Sequence, residues 1–383
     1  MKHIKFTTAG ESHGELLMGI LEGIPSNLSV DIEYITKHLK RRMAGHGRGK
    51  RMKIEDDIPH ICSGIRFGKT LGSPIGIIIK NNDWKNWKNK MTIHAVNEDA
   101  KKITIPRPGH ADLAGIKKYN FTDIRNVIER SSARETAMRV ALGTICRKLL
   151  EDFNIHICSY VSAIHKIKDS NTYFNKHPYD INTQADKSPV RSLNKDLEND
   201  MMDVISSAQS RGDSVGGSFT IIISGLPYGL GSYVSWEKKI NARLGKAILS
   251  INGIKSFDVG LGDESKNKFG SELHDEIGYN DQFVRFSNNC GGIEGGISNA
   301  QPIIISATMK PIPTLIKPLR SIDIESKKEV LAHKERTDSC SVPAASIIAE
   351  SMVCFIICDA LLEKFGGDSI EDLAKHIKTT AKY

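Results

Sequence analysis

Between residues 342 and 362 the chain reads VPAASIIAESMVCFIICDALL, its most apolar stretch, and two carboxylates, Glu350 and Asp359, interrupt it. An aspartate at the centre of a bilayer costs about 2.5–3.5 kcal/mol even on permissive insertion scales. The stretch is therefore read as a helix buried in a protein core, not as a membrane span. With 383 residues, the chain is long enough for one large core or two ordinary domains. Its 39% hydrophobic and 26% charged residues are the balance of a soluble globular protein. The seven cysteines form no CxxC pair, and their odd number excludes a complete intramolecular disulfide framework. The opening MKHIKFTTAGESHGE has no apolar signal core. Together these features lead to the expectation of a cytoplasmic protein in a reducing compartment.

Charge is distributed unevenly. Residues 1–150 hold 27 Lys+Arg against 15 Asp+Glu, a net of +12, and the remainder holds 26 against 30, a net of −4. A local excess of this kind makes a field for an anionic ligand. The arginines sit among glycines and histidines, not along a repeated stripe, so an acidic small molecule or a phosphate is favoured over nucleic acid.

The spacing of apolar residues predicts strands over 3–9 and 17–24 around a GESHGE turn, a helix over 35–42, and a strand over 73–80. Residues 107–112 are a loop by composition. From Asp123 to Leu150 one long helix is expected, with Val127, Ala133, Ala137, Val140, Ala141, Ile145 and Leu149 on one face. The polar segment 174–200 is expected at the surface. Glycine turns lead into strands after 217 and across 288–314, and helices are expected around 236–250 and over 343–362. A short helix and a polar tail close the chain. No linker divides it, so residues 1–383 are expected to form a single α/β domain.

Several motifs carry chemistry. GESHG places His13 in a glycine-bounded turn, either as a proton donor and acceptor or as a plain surface histidine. RRMAGHGRGKR presents Arg41, Arg42, Arg48 and Arg51 on flexible backbone, suited to phosphate or carboxylate oxygens or else a solvated basic turn; it is not a GxxxxGK[ST] loop. RPGHAD offers Arg107 and His110. In RSSARET, Arg130 and Arg134 are four apart and share a face if the helix is continuous, with Ser131 and Ser132 beside them. Glu135 and Arg139 form an ordinary i,i+4 pair. The glycines of GGIEGGISNAQ could let backbone approach a planar or phosphorylated ligand closely. Arg336 and Asp338, two apart, point the same way from an extended loop. No metal-ligand cluster and no GxGxxG fingerprint are present, and Trp84 and Trp87 receive no catalytic role.

Taken in order, GESHG (10–14), RRMAGHGRGKRM (41–52), RPGHAD (107–112), RSSARETAMRVALG (130–143), RGDSVGG (211–217), GGISNAQP (295–302) and KPIPT (310–314) closely resemble the chorismate synthase family over nearly the whole chain. The resemblance implies an α/β (α+β) sandwich with helices enclosed by antiparallel sheets, assembled as a homotetramer of paired dimers. It implies conversion of 5-enolpyruvylshikimate 3-phosphate to chorismate and phosphate, the last step of the shikimate pathway. That reaction is a redox-neutral 1,4-elimination requiring reduced FMN, which lends electron density as phosphate leaves and helps collect the ring proton.

By the same resemblance His13 serves the departing phosphate, His110 faces the reduced flavin, and Asp338 relays the proton. Arg42, Arg48, Arg107, Ser132 and Arg134 bind substrate. Arg130, Ser131, Ser132, Asn252, Gly253, Gly295, Lys310, Pro311, Ile312, Pro313, Thr314 and Arg336 bind flavin. The stretch from Arg42 to Arg48 matches the family's nicotinamide-nucleotide contact, with NADPH as an external source of reduction, since no reductase domain is appended. The chain departs from the family's R-H-D-P pattern at Thr337 and Ser339, has Gly253 where Ala is common, and has Ala300 where Gly is frequent. Ala300 matters only if its backbone needs a positive φ.

Overall fold

The computed structural model describes residues 1–95, 102–174 and 176–380. The polar tail expected at the end of the chain falls on 381–383, outside the described residues.

The apolar stretch forms a helix, Val342–Phe365, in which all residues but Glu363 and Lys364 are buried. A helix apolar on every side has to be covered on every side. One flank packs against the helix Thr136–Asp152, the other against the strands His156–Ile164 and Gly217–Ser224. The two helices approach closely: a Cβ on Gly143 would lie 2.7 Å from the Cβ of Ser351, so only glycine permits the contact.

Helix Thr136–Asp152 rests in turn on a four-stranded antiparallel sheet in the order Lys5–Ala9, Leu16–Glu22, Ile75–Lys80, Pro59–Ser63. Strand alternation there turns Leu17 and Leu21 into the core and leaves Met18 and Ile20 about half exposed. The second sheet, also antiparallel, runs Ile254–Val259, Ile303–Met309, Gly217–Ser224, His156–Ile164, Ile167–Lys168. Two sheets thus enclose a layer of helices, as expected.

The two carboxylates of the apolar helix explain its placement. Glu350 is fully buried and accepts from Arg41 Nη1 (2.8 Å), Arg147 Nη2 (2.6 Å) and Ser159 Oγ (2.5 Å), with Arg191 Nη2 at 3.4 Å. Asp359 accepts the backbone N–H groups of Lys2, His3 and Ile4 and also pairs with Arg243, fixing the start of the chain.

Three expectations change. The long helix over 123–150 is broken: Arg125–Ser131 ends at Ser132, whose backbone is extended (φ −68°, ψ 140°), and a short 3-10 turn, Ala133–Glu135, leads into Thr136–Asp152. Ser132 Oγ accepts the N–H of Arg134 and so offers the backbone a local alternative to the helix. The polar segment 174–200 is not simply surface. Its helix Pro178–Ala185 sets Ile181 and Ala185 against Cys158, Tyr160 and Ile222 of the second sheet, and Arg191 is buried. Ala300 does adopt positive φ, +65°, at an exposed position. A side chain there costs about 1–2 kcal/mol in the left-handed region.

Burial would raise the Glu350 carboxyl, but the charges of Arg41, Arg147 and Arg191 overcome it and hold the group at about 2, below its ordinary 4.5. A depressed carboxyl contributes stability that is complete above the ordinary value and is lost as pH falls through the folded value. Glu350→Gln should therefore cost about 3–5 kcal/mol at neutral pH, because three buried guanidinium groups lose their counter-charge. Urea unfolding should also show a shallower fall in stability between pH 4.5 and about 2 than in the wild type. Equal midpoints for the two proteins at neutral pH would contradict this.

Candidate active site

A cavity of about 380 Å³ opens where loops from both sheets meet the start of helix Val342–Phe365. Ala344, Ala345 and Ile348 of that helix line it. Around them stand the turn with Ser12 and His13, the 48–52 segment, the 107–111 loop, the helix break at 131–134, and the segments 251–253, 309–314 and 335–338. This brings together His13, His110, Asp338, Arg42, Arg48, Arg107, Ser131, Ser132, Arg134, Asn252, Gly253, Lys310, Pro311, Ile312, Pro313, Thr314 and Arg336.

Arg130 and Gly295 lie elsewhere. The break at Ser132 separates Arg130 from Arg134, so they share no face, and Arg130 donates to the carbonyls of Thr8 and Gly10. Gly295 and Gly296, both at positive φ, form the two-residue turn between Ile293–Glu294 and Ile297–Asn299. Their freedom makes a hairpin turn.

Each histidine leans on a buried carboxylate that the sequence reading did not single out. Glu129 accepts the backbone N–H of His13 (2.7 Å) and contacts its Nδ1 at 2.9 Å, and it also takes Arg125 at 3.1 Å. Burial opposes the charge of Glu129, but the hydrogen bonds from His13 and the charge of Arg125 keep its carboxyl below the usual range. The His13 ring stacks on Trp87, centroids 3.9 Å apart. His110 Nδ1 lies 2.5 Å from Asp112 Oδ1. Asp112 is likewise held low against its burial by His110 and Arg107.

The arginines divide by what they have left to offer. Arg107 is committed to Asp112 (Nε, 2.8 Å) and Thr314 Oγ1 (Nη1, 2.8 Å). Arg42 donates to Thr136 Oγ1 and the carbonyl of Ala133. Burial and the neighbouring charges of Arg48 and Arg134 push it down to about 10. Arg134 pairs with Asp57, donates to Asn81 Oδ1 and faces Glu55 through Nη2 at 3.5 Å. Arg48 Nη1 meets Asp338 at 2.5 Å while its Nε is unpartnered. Arg51, named in the sequence but not assigned a site role, reaches Ser12 and Glu55 and also keeps a buried Nε without a partner. Buried donors left unmade are costly. Arg42, Arg48, Arg51, Arg107, Arg134 and Arg336 all line this one cavity, which suits it to an oxygen-rich anion.

Met309, Pro311, Ile312, Pro313 and Ile251 give the cavity an apolar lining as well. On it Asn252 donates to the Ser131 carbonyl (2.9 Å), and its Oδ1 is buried and unpaired. Asp338 Oδ1 also accepts the N–H of Gly49 (2.6 Å), and Ser341 donates to its Oδ2 (2.9 Å). Ser339 stands where the family pattern has proline. Its N–H donates to the Gly47 carbonyl (2.8 Å), a bond that proline could not make. Arg336 reaches across to Asp83, which also accepts from Trp87 Nε1.

The family model for chorismate synthase matches residues 4–362. A chorismate synthase of Aquifex aeolicus is 47% identical over 387 residues, spanning 99% of this chain and 97% of that protein. One of Alkaliphilus metalliredigens is 48% identical, spanning 98% of each. A crystal structure of chorismate synthase superposes with a TM-score of 0.81 at 37% identity, covering 100% of this chain and 98% of the other.

The pairing pattern separates two substitutions. Arg134→Ala should lower stability by about 3–5 kcal/mol, because buried Asp57 keeps only the long 3.5 Å contact to Arg42 and buried Glu55 loses a cation as well. Arg48→Ala should cost about 1 kcal/mol, since Asp338 keeps its bonds to Gly49 and Ser341. Both should weaken binding of a phosphorylated anion in calorimetry. Equal stability losses in urea would contradict the difference.

Proposed function

The chain belongs to the chorismate synthase family, and from that premise we propose that its cavity carries out the 1,4-elimination of phosphate from 5-enolpyruvylshikimate 3-phosphate with reduced FMN. The observation that carries this reading is one cavity lined by two unlike sets of residues: Arg42, Arg48, Arg51, Arg107 and Arg134 with His13, and a second, apolar set of Ile251, Met309, Pro311, Ile312 and Pro313 beside Asn252. A flat, amphipathic ring system with N–H donors on its edge fits that second set. Asn252 Oδ1 would accept from the ring edge, and Gly253 and the 310–314 segment would line its flank. Reduced FMN there would supply electron density to the allylic system and take up the ring proton.

The chain's own residues do the rest. Arg48, Arg51 and Arg134 orient the substrate's phosphate and carboxylates through charge-assisted hydrogen bonds. His13 donates a proton to the phosphate oxygen as it departs. A substrate anion that draws Arg48 away from Asp338 frees Oδ2 of Asp338 to receive a proton. His110, held by Asp112, presents a fixed donor toward the ring. Arg107 and Arg42, already committed to protein partners, keep the wall positive without moving. Removal of water by the apolar wall strengthens each of these contacts.

The same reading makes the protein a lyase, cytoplasmic and homotetrameric, with its reduced flavin delivered by an external reductase or reductant, NADPH among the possible ultimate sources. It places one domain across the whole chain.

Anaerobic incubation with 5-enolpyruvylshikimate 3-phosphate and pre-reduced FMN should release chorismate and phosphate in equal amounts while the flavin stays reduced. Oxidised FMN without reductant should give little product. Sustained turnover after all flavin is removed, or one flavin oxidised for each product formed, would overturn the proposal.

A further inference from the structure

We infer that Glu129 is the positioning residue that makes His13 a proton donor: its carboxylate holds the Nδ1–H, so Nε2 is the nitrogen that addresses the leaving oxygen. The inference rests on the reaction proposed above. Glu129 has almost no exposure, and its two oxygens take the backbone N–H of His13 and its Nδ1. A carboxylate can only accept, so the hydrogen bond to Nδ1 requires a proton on that nitrogen. That leaves Nε2 as the free ring nitrogen, which accepts from Arg51 Nη1 at 3.4 Å, while His13 itself lines the cavity. A carboxylate behind an imidazole sets tautomer and orientation in hydrolytic triads by the same chemistry.

The charged and aromatic groups around the ring come from three elements. From the helix Arg125–Ser131, Glu129 favours the imidazolium, and Arg125 partly neutralises Glu129 while reaching Glu335 at 2.8 Å. From the segment after Asn82–Asn86, the face of Trp87 favours a cation, and Arg125 lies 5.0 Å from the same ring. From the Lys50–Lys53 turn, Arg51 opposes a second positive charge. A phosphate dianion that draws Arg51 Nη1 toward itself releases Nε2 to face the leaving oxygen. Glu129 touches neither substrate nor flavin in this arrangement and acts through His13 alone.

Imidazole ¹⁵N–¹H correlation spectra of the resting full-length protein, with His13 assigned from the His13→Gln variant, test the contact without turnover. The expected result is a proton on Nδ1; a neutral ring protonated only on Nε2 would overturn the inference. In Glu129→Gln the side-chain amide can donate to Nδ1 and invert the tautomer. Turnover should then fall by about 100-fold or more, with affinity for the phosphorylated substrate within about threefold of wild type. Glu129→Asp, which keeps the charge, should recover about tenfold of the loss. Turnover of Glu129→Gln within about threefold of wild type, or a loss confined to KM, would overturn the role. A wild-type enzyme that makes no chorismate would instead count against the reaction, while the resting spectrum still decides the Glu129–His13 contact.

Discussion

A carboxylate at the centre of the core has to be neutralised, and the cations that neutralise Glu350 come from separate parts of the chain. Arg41 ends the helix Ile32–Met43, Arg147 lies in Thr136–Asp152, and Arg191 comes from the loop outside the second sheet. Removing one partner of such a set is far more damaging than never having had it, so the three elements are tied to one point. The site inherits that tie. Arg42 follows Arg41 and turns into the cavity, Arg134 and Ser132 immediately precede the helix that carries Arg147, and Ala344 to Ile348 lie within two turns of Glu350 on its own helix. Core and site are two ends of the same helices.

Pairing is also the rule at the cavity. Arg134 has Asp57, Arg107 has Asp112, Arg48 has Asp338 and Arg51 has Glu55. Carboxylates behind the arginines hold the guanidinium planes in place before any ligand arrives, which is the structural form of electrostatic preorganisation. They also temper the positive charge, so what remains for a ligand is directional: guanidinium groups of Arg48, Arg51 and Arg134 fixed by their carboxylates at the cavity. An oxygen-rich anion satisfies them, and water in a half-apolar cavity does so poorly.

Much of this was legible in the sequence where one local rule governed. The apolar helix was placed within a few residues because Glu350 and Asp359 could not sit in lipid, and the strand over 73–80 matches Ile75–Lys80. The ordered motifs brought most of the cavity wall with them. The break at Ser132 was not legible, because Val127, Ala137, Val140 and Ile145 keep helical spacing across it, and periodicity is blind to a single extended residue. The shared face expected of Arg130 and Arg134 fails for the same reason. Glu129 was hidden inside that imagined helix, Asp112 stood in a motif whose arginine and histidine drew the attention, and Trp87 lay in a lysine-rich run that reads as solvated. In each case the partner is chosen by tertiary contact. An indole beside lysines, or a carboxylate two residues from a histidine, gave the only available signal.

A crystal structure of the chain with 5-enolpyruvylshikimate 3-phosphate and oxidised FMN measures the central claim directly. The phosphate should lie within hydrogen-bond reach, about 3 Å, of His13 Nε2 and of the guanidinium groups of Arg51 and Arg134. The flavin ring should lie against residues 309–314 with its edge on Asn252. A phosphate bound away from His13, or a flavin outside the apolar wall, would contradict the assignment of this cavity as the place where phosphate leaves.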